Sequence, residues 1–156
     1  MRFEALTSTL VAAVEPWFDD LETMRYLGGR DWLHRELDLM QDAAGVEFQG
    51  NIVLARHIWI VFDEANQPVG LVDVEPYDDG TAGMAFVVAP HVRGRDVGQR
   101  ILLALAEQEE LKDVQTVVGG VEPENTAARI WLVKAGFTVA QVPDEEEMLN
   151  AEKKLH

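Results

Sequence analysis

The sequence predicts an α/β (α+β) fold: a mixed, mostly antiparallel central sheet with helices on both faces. Three observations predict it. Helical spacing governs the chain up to Met40, the period shifts to strand-like runs joined by short turns from His57, and helix and strand patterns alternate from Val97 onward. The 156 residues suffice to bury a core, and with no repeat or low-complexity stretch they read as one domain, 1–156.

A short strand is expected over residues 2–6. Thr7 or Ser8 is placed to cap a helix carrying Leu10, Val11 and Val14, which Pro16 should interrupt because proline lacks the N–H that a helix interior needs. A second helical piece covers 21–27 and stops at Gly28-Gly29; Asp31 should cap a third, with Leu33, Leu37 and Met40 at i, i+4 and i+7. Residues 45–50 read as a loop, and 52–56 carry little pattern. Strands follow at 58–62, 68–75 and 81–88, and the turns at 64–67 and at Asp79-Gly80 make them an antiparallel meander. Val97, Ile101, Ala104 and Leu105 share one face of the next helix. A strand at 114–121 contains Gly119-Gly120, and Ala128, Trp131, Leu132 and Ala135 mark a helix that Gly136 ends. Strands at 137–142 and 148–155 flank the acidic run 143–147. The order is β-α-α-β-β-β-α-β-α-β-β. A right-handed crossover through 81–121 should set its two strands parallel.

Composition narrows the function. With 28 acidic against 13 basic residues the formal charge is −15, which disfavours nucleic acid and anionic membranes and suits a cationic or amine-bearing partner, or simply keeps the chain soluble. The absence of cysteine excludes disulfides, a cysteine nucleophile and thiolate metal sites. His34, His57, His91 and His156 lack metal-ligand spacing, so no metal is expected. No apolar run is long enough to span a bilayer and the N-terminus lacks a signal-like apolar region, so a cytoplasmic location is expected.

The strongest functional signal is the loop Val88-Ala89-Pro90-His91-Val92-Arg93-Gly94-Arg95-Asp96-Val97-Gly98. It joins a strand end to a helix start, where unpaired N–H groups and the positive helix end favour a phosphate. Arg93 and Arg95, with Arg100, form a basic island in an acidic chain, and Gly94 and Gly98 leave room for a ligand against the backbone. A pyrophosphate cradle is expected, with His91 an exposed loop residue beside it.

This V-x-P-x-x-R-G-x-x-x-G pattern is similar to the acetyl-CoA loop of the GNAT (GCN5-related N-acetyltransferase) superfamily, usually (Q/R)-x-x-G-x-(G/A). Downstream, Asn125-Thr126-Ala127-Ala128-Arg129-Ile130-Trp131-Leu132-Val133-Lys134-Ala135-Gly136-Phe137 resembles that family's N-x-x-A-x-x-(L/W)-x-x-x-x-G-F segment. The resemblance implies a GNAT-like fold in which the strands at 81–88 and 114–121 splay and a cofactor enters the gap, where Gly119 and Gly120 leave room. It implies cofactor contacts from Phe86, Val87 and Val88, from Arg93, Gly94, Arg95, Asp96, Val97, Gly98 and Gln99, and from Asn125 and Ala128. Asn125 could equally cap the helix it precedes. The implied activity is transfer of an acyl group, from acetyl-CoA or another acyl-CoA, to a primary amine of a small molecule or peptide by direct attack. A non-catalytic acyl-CoA-binding sensor is the alternative, and fold-level analogy admits a homodimer. Two residues depart from the pattern. Asp96 stands where the family has its middle glycine, and Leu132 where many members carry a tyrosine that protonates the leaving thiolate.

Such a transfer needs a general base for the amine. Asp73 and Glu75, two apart on one strand, are the candidates. Val69 and Leu71 should share their face, where burial would raise a carboxylate pKa; the bland alternative is a solvent-exposed strand end. Residues 81–86 carry no acid, and Tyr26 and Tyr77 are the tyrosines left to replace the acid missing at Leu132. In the resembling family the N-terminal helices form a lid over the acceptor. Here they carry Asp19, Asp20, Glu22, Asp31 and Glu36 with Trp17, Phe18, Tyr26 and Trp32, which suits an amine on an apolar body or an ordinary core under a solvated face. Trp131 is expected to pack in the core.

Overall fold

The computed structural model describes residues 1–40 and 44–156. Its helices are α1 (Val11–Val14), α2 (Leu21–Tyr26), α3 (Arg30–Met40), α4 (Val97–Leu105) and α5 (Thr126–Lys134). Its strands are β1 (Arg2–Ala5), β2 (Glu47–Phe48), β3 (Asn51–Ile52), β4 (His57–Phe62), β5 (Pro68–Pro76), β6 (Thr81–Val88), β7 (Thr116–Val121), β8 (Thr138–Val139) and β9 (Leu149–Lys154). Seven of them form one sheet in the order β1-β4-β5-β6-β7-β9-β8, antiparallel except for β6 against β7. The parallel pair is the product of the crossover through α4, as the sequence predicts.

Each sheet face is covered by a different set of helices. Val97, Ile101, Leu102 and Leu105 of α4 pack with Trp59, Val61, Val72 and Val74, and Trp131 and Leu132 of α5 lean on the same cluster. Val11 and Val14 of α1, Trp17, Phe18 and Leu33 of α3 pack on Ile58, Ile60, Leu71 and Val87. Fully buried side chains such as Ile58, Leu71, Ile101 and Leu105 each contribute roughly 1.5–3 kcal/mol of transfer free energy. No helix among the described residues is long and apolar enough to cross a membrane.

Several local expectations are corrected. Residues 45–50 hold one arm and the turn of a small hairpin, β2 on β3, because Gln49 and Gly50 both take positive φ (51° and 85°) and so build a tight reversal. Val53 continues the second arm, β3, as a bridge to Tyr77. Pro16 does more than end α1: it stands in the first turn of the 3₁₀ segment Glu15–Asp19, where its missing N–H costs nothing. Asp31 lies inside the first turn of α3 and is not its cap. The side chain of Met40, expected on the apolar stripe of that helix, lies outside the described residues. The strand expected at 137–142 is reduced to Thr138–Val139, and that expected from residue 114 begins at Thr116. Val69 does not share a face with Leu71. A bulge between Val61 and Phe62 pushes it into the α4-side core while Leu71 faces the N-terminal helices.

Candidate active site

The site begins where two central strands part. β6 and β7 pair only at Thr81–Thr116, Ala82–Val117 and Gly83–Val118, although β6 runs on to Val88 and β7 to Val121. Past that point β6 stays bound to β5 and β7 to β9, so each keeps one partner and opens one edge. Gly119 sits at the fork. A Cβ there would lie 3.1 Å from the carbonyl oxygen of Met84, so only glycine lets the backbones approach so closely before they diverge. Met84, Ala85 and Phe86 remain half-buried in mid-sheet, which leaves strand backbone within reach of a ligand.

A cleft of about 530 Å³ follows from this fork. Phe86, Val87 and Val88 line it from β6; Arg93, Gly94, Asp96, Val97, Gly98 and Gln99 from the loop and the start of α4; Asn125 and Ala128 from α5. Eleven of the twelve cofactor residues expected from sequence therefore meet in one cavity; Arg95 does not line it and is exposed. The N-terminus of α4 opens onto the cleft, and its first-turn N–H groups have no acceptor within the helix. Gly94 reaches φ 76° with nothing within 4 Å of where a Cβ would stand, a bend in the chain with open space beside it. Asn125 caps α5, accepting the Ala128 N–H at 3.2 Å, while it also faces the cleft.

Three details change the sequence reading of the loop. Asp96 adopts the left-handed conformation (φ 58°, ψ 16°) at the α4 N-cap and makes no side-chain cap bond. It takes a backbone shape that glycine adopts readily while placing a carboxylate on the wall of the cleft. Arg93 donates to Asp20 Oδ2 at 2.9 Å and to Thr23 Oγ1 at 2.9 Å, with Glu22 Oε2 at 3.1 Å, so its guanidinium ties the loop to α2. Asp20 is simultaneously the α2 cap; desolvation opposes its ionisation, but the Thr23 N–H and Arg93 together hold its carboxyl below the usual range. Gly98 makes room for a side chain: a Cβ there would stand 2.8 Å from Trp131 Cζ2. Trp131 stacks on Phe86, centroids 5.3 Å apart, so it lines the cleft while leaning on the core.

Tyr26, expected near the acceptor, does line the cleft, whereas sequence reasoning missed Thr23 and Leu27, which α2 brings over it, and Lys134 on α5. Thr23 and Leu27 carry no local signal, because only tertiary packing places them there. Lys134 was findable, since Ala127, Trp131 and Lys134 repeat at i, i+4 and i+7 on one helix face. His91 is exposed and lies outside the cleft.

The other face of the fork is acidic. Asp73 of β5 lies opposite Ala85 and Glu75 opposite Gly83, so both stand over half-buried small residues of β6 rather than at a solvent-exposed strand end. Asp73 is 6% exposed and is gripped by Arg56 Nε at 3.1 Å and Nη2 at 2.8 Å. Glu75 accepts from the Tyr77 hydroxyl at 2.9 Å and faces Arg56 Nη1 at 3.4 Å. Burial and the Glu75 carboxylate push the Tyr77 hydroxyl up, so it stays protonated. Its oxygen sits over Gly83, 3.1 Å from where a Cβ would be. Glu36 of α3 reaches the same guanidinium. Burial, and then Asp73, raise its carboxyl to about 7. Three carboxylates thus share one arginine.

Comparisons place this geometry among known proteins. Residues 55–139, just over half of the chain, match the family model of the acetyltransferase (GNAT) domain. The uncharacterized N-acetyltransferase YfmK of Bacillus subtilis (strain 168) is 24% identical over 153 residues, 95% of this chain and 93% of its own length. Among solved structures, a spermidine N-acetyltransferase from Vibrio cholerae in complex with CoA and spermine superposes with TM-score 0.73 at 14% identity, over 99% of this chain and 95% of that one. The aminoglycoside acetyltransferase AAC(6')-Ib in complex with coenzyme A superposes with TM-score 0.74 at 16% identity, over 97% and 93%.

Proposed function

The chain belongs to the GNAT acetyltransferase family, and from that premise we propose that it transfers the acetyl group of acetyl-CoA to a primary amine of a small molecule or peptide by direct attack. The observation that carries this reading is the cleft at the β6–β7 fork, which has a helix N-terminus at one end and half-buried strand backbone at the other. The residues suit the cosubstrate. The α4 N-terminus and the bend at Gly94 would hold the pyrophosphate, and the backbone beyond Gly83 would hold the pantetheine arm and the carbonyl oxygen.

When bound, the thioester supplies an electrophilic carbonyl and a thiolate that leaves with the C–S electron pair. The protein's part is to align the amine, to stabilise the charge on the carbonyl oxygen through backbone N–H groups, and to take one proton from the ammonium. Asp73 and Glu75, across the strand pair from Ala85 and Gly83, are the candidates for the last task. The spermidine N-acetyltransferase in complex with spermine and the aminoglycoside acetyltransferase support a cationic amine as acceptor.

The sensor alternative draws support from Asp96, whose carboxylate weakens a phosphate site, and from Leu132 in place of a tyrosine. Calorimetric titration with acetyl-CoA, CoA and ATP, followed by amine-dependent thiol release, separates the two. Binding of both CoA species without ATP, and release of thiol with an amine, is the expected result. Binding without turnover across polyamines, aminoglycosides and lysine peptides would establish the sensor instead.

A further inference from the structure

We propose that Arg93 is a latch: in the ligand-free protein it ties α2 to the loop before α4, and the cosubstrate's pyrophosphate takes the same guanidinium and frees α2. The proposal rests on the acetyl-transfer reading above. Among the described residues, the hydrogen-bond and ion-pair partners of the Arg93 side chain all belong to the N-terminal turn of α2. Nη1 lies 2.9 Å from Asp20 Oδ2 and 3.1 Å from Glu22 Oε2, and Nη2 donates to Thr23 Oγ1 at 2.9 Å. The same residue lines the cleft with Gly94 and the start of α4, where the pyrophosphate would sit. One guanidinium thus faces two claims.

Little else holds α2 down. It has six residues, too few to be a stable helix on their own. Thr23 is its one buried residue, and Arg93 donates to that residue's hydroxyl. Leu21 and Met24 are exposed, while Leu27, just past the helix end, leans on the core under the N-terminal helices. A segment with so few buried apolar contacts opens at low free-energy cost. Asp20 does not need Arg93 in order to cap α2, because the Thr23 N–H and hydroxyl donate to its Oδ2 at 3.1 and 3.2 Å. Loss of Arg93 therefore leaves the helix formed but untied.

The exchange of partners favours the phosphate. The side chains of Arg93, Asp20 and Glu22 are 34%, 28% and 50% exposed, and ion pairs so open to water are weak. A pyrophosphate carries more charge than one carboxylate, accepts a guanidinium through two oxygens, and meets the α4 N–H groups in the same place. With Arg93 turned to it, Asp20 and Glu22 face a second anion with no cation between, and repulsion pushes α2 outward. Thr23, Tyr26 and Leu27 form one wall of the cleft, so the release of α2 widens the space beside the bound cosubstrate. Without cosubstrate the latch keeps that wall closed. The coupling is reciprocal, so whatever loosens the latch also tightens the cosubstrate.

The test is hydrogen exchange of the full chain, read by mass spectrometry on peptides covering α2 and the start of α4, with and without saturating CoA. In wild type, CoA should slow exchange at the start of α4 and speed it in α2 by roughly fivefold, the factor that corresponds to ion pairs of this exposure. Arg93→Gln should show the faster α2 exchange without any ligand, and CoA should not raise it further. Glu22→Gln, which loses one of the two carboxylates on Arg93, should fall between them. Unchanged or slower exchange in α2 while CoA protects α4 would overturn the latch, because Arg93 would then hold helix and phosphate together. So would an Arg93→Gln protein whose α2 exchanges as slowly as wild type. Should Arg93→Gln fail to fold, wild type and Glu22→Gln decide by the same criterion: faster α2 exchange in unliganded Glu22→Gln supports the latch, and equal exchange refutes it. Absence of protection at α4 with millimolar CoA would instead refute the acetyl-transfer reading, and the latch with it.

Discussion

Asp96→Asn should tighten acetyl-CoA binding, and the structure sets the size of the effect. Asp96 is exposed, lines the cleft and makes no cap bond, so its carboxylate contributes charge to the cradle without a compensating contact. Asparagine has the same shape and tolerates the left-handed backbone, so the substitution removes charge alone. Taking roughly 6 Å to a pyrophosphate bearing about two charges, and the dielectric of water because the residue is exposed, the repulsion is about 1.4 kcal/mol, or about tenfold in Kd. Screening at physiological salt, with a Debye length of about 8 Å, halves this to about threefold. Asp96→Gly should bind acetyl-CoA similarly. Its relief of left-handed strain, about 1 kcal/mol, is offset by the roughly 0.5–1 kcal/mol that glycine loses in chain entropy on folding. Calorimetry at low and at 0.5 M salt checks both parts: the gain in Asp96→Asn should shrink as salt rises. An unchanged or weaker Kd at low salt would refute the reasoning, because Asp96 would then contribute a favourable contact to the site.

Three further outcomes follow from the same geometry. Glu22→Gln leaves the Asp20 cap intact but removes one of the two carboxylates that hold Arg93. It should free the guanidinium for phosphate and tighten acetyl-CoA up to about fivefold, within the ~1 kcal/mol range of partly exposed ion pairs; weaker binding in the calorimeter would contradict this. Gly98→Ala should destabilise by roughly 1–3 kcal/mol and disturb the Trp131–Phe86 stack, since its Cβ would press on the indole at 2.8 Å. Thermal melts and near-ultraviolet circular dichroism read both, and an unshifted Tm would exclude the clash. Glu36 holds its proton more tightly in the folded protein than in the unfolded chain, so its contribution to stability is complete below pH 4.5 and is lost as pH rises through about 7. Wild type should therefore lose Tm relative to Glu36→Gln between those limits, and parallel curves would show that Glu36 titrates normally.

Local patterns carried most of the fold into view, and tertiary ones stayed hidden. The Asp79-Gly80 bend, the α4 face at Val97, Ile101 and Leu105, and the Gly136 stop all depend on residues near in sequence, and each could be read there. The β2–β3 hairpin escaped because Gln49-Gly50 is a weaker turn signal than Asn-Gly, and its strands of two residues show no alternation. The bulge that turns Val69 away from Leu71 depends on pairing with β4, so strand period alone placed it on the wrong face. At the site, the strand-to-helix junction was legible as a place where strand end and helix start meet, and it does form one wall of the cleft. That Arg93 binds α2, that Gly98 accommodates Trp131, and that Arg56 gathers Glu36, Asp73 and Glu75 are contacts between distant segments. No spacing rule encodes them.

Acetyl transfer at the β6–β7 fork is tested most directly by incubating the protein with acetyl-CoA and a panel of polyamines, aminoglycosides and lysine peptides. Thiol release and acceptor mass are followed together. One thiol released for each acetylated amine, dependent on protein and blocked by excess CoA, is the predicted result. Binding of acetyl-CoA with no acceptor gaining an acetyl group, and no thiol released above the buffer rate, would contradict it.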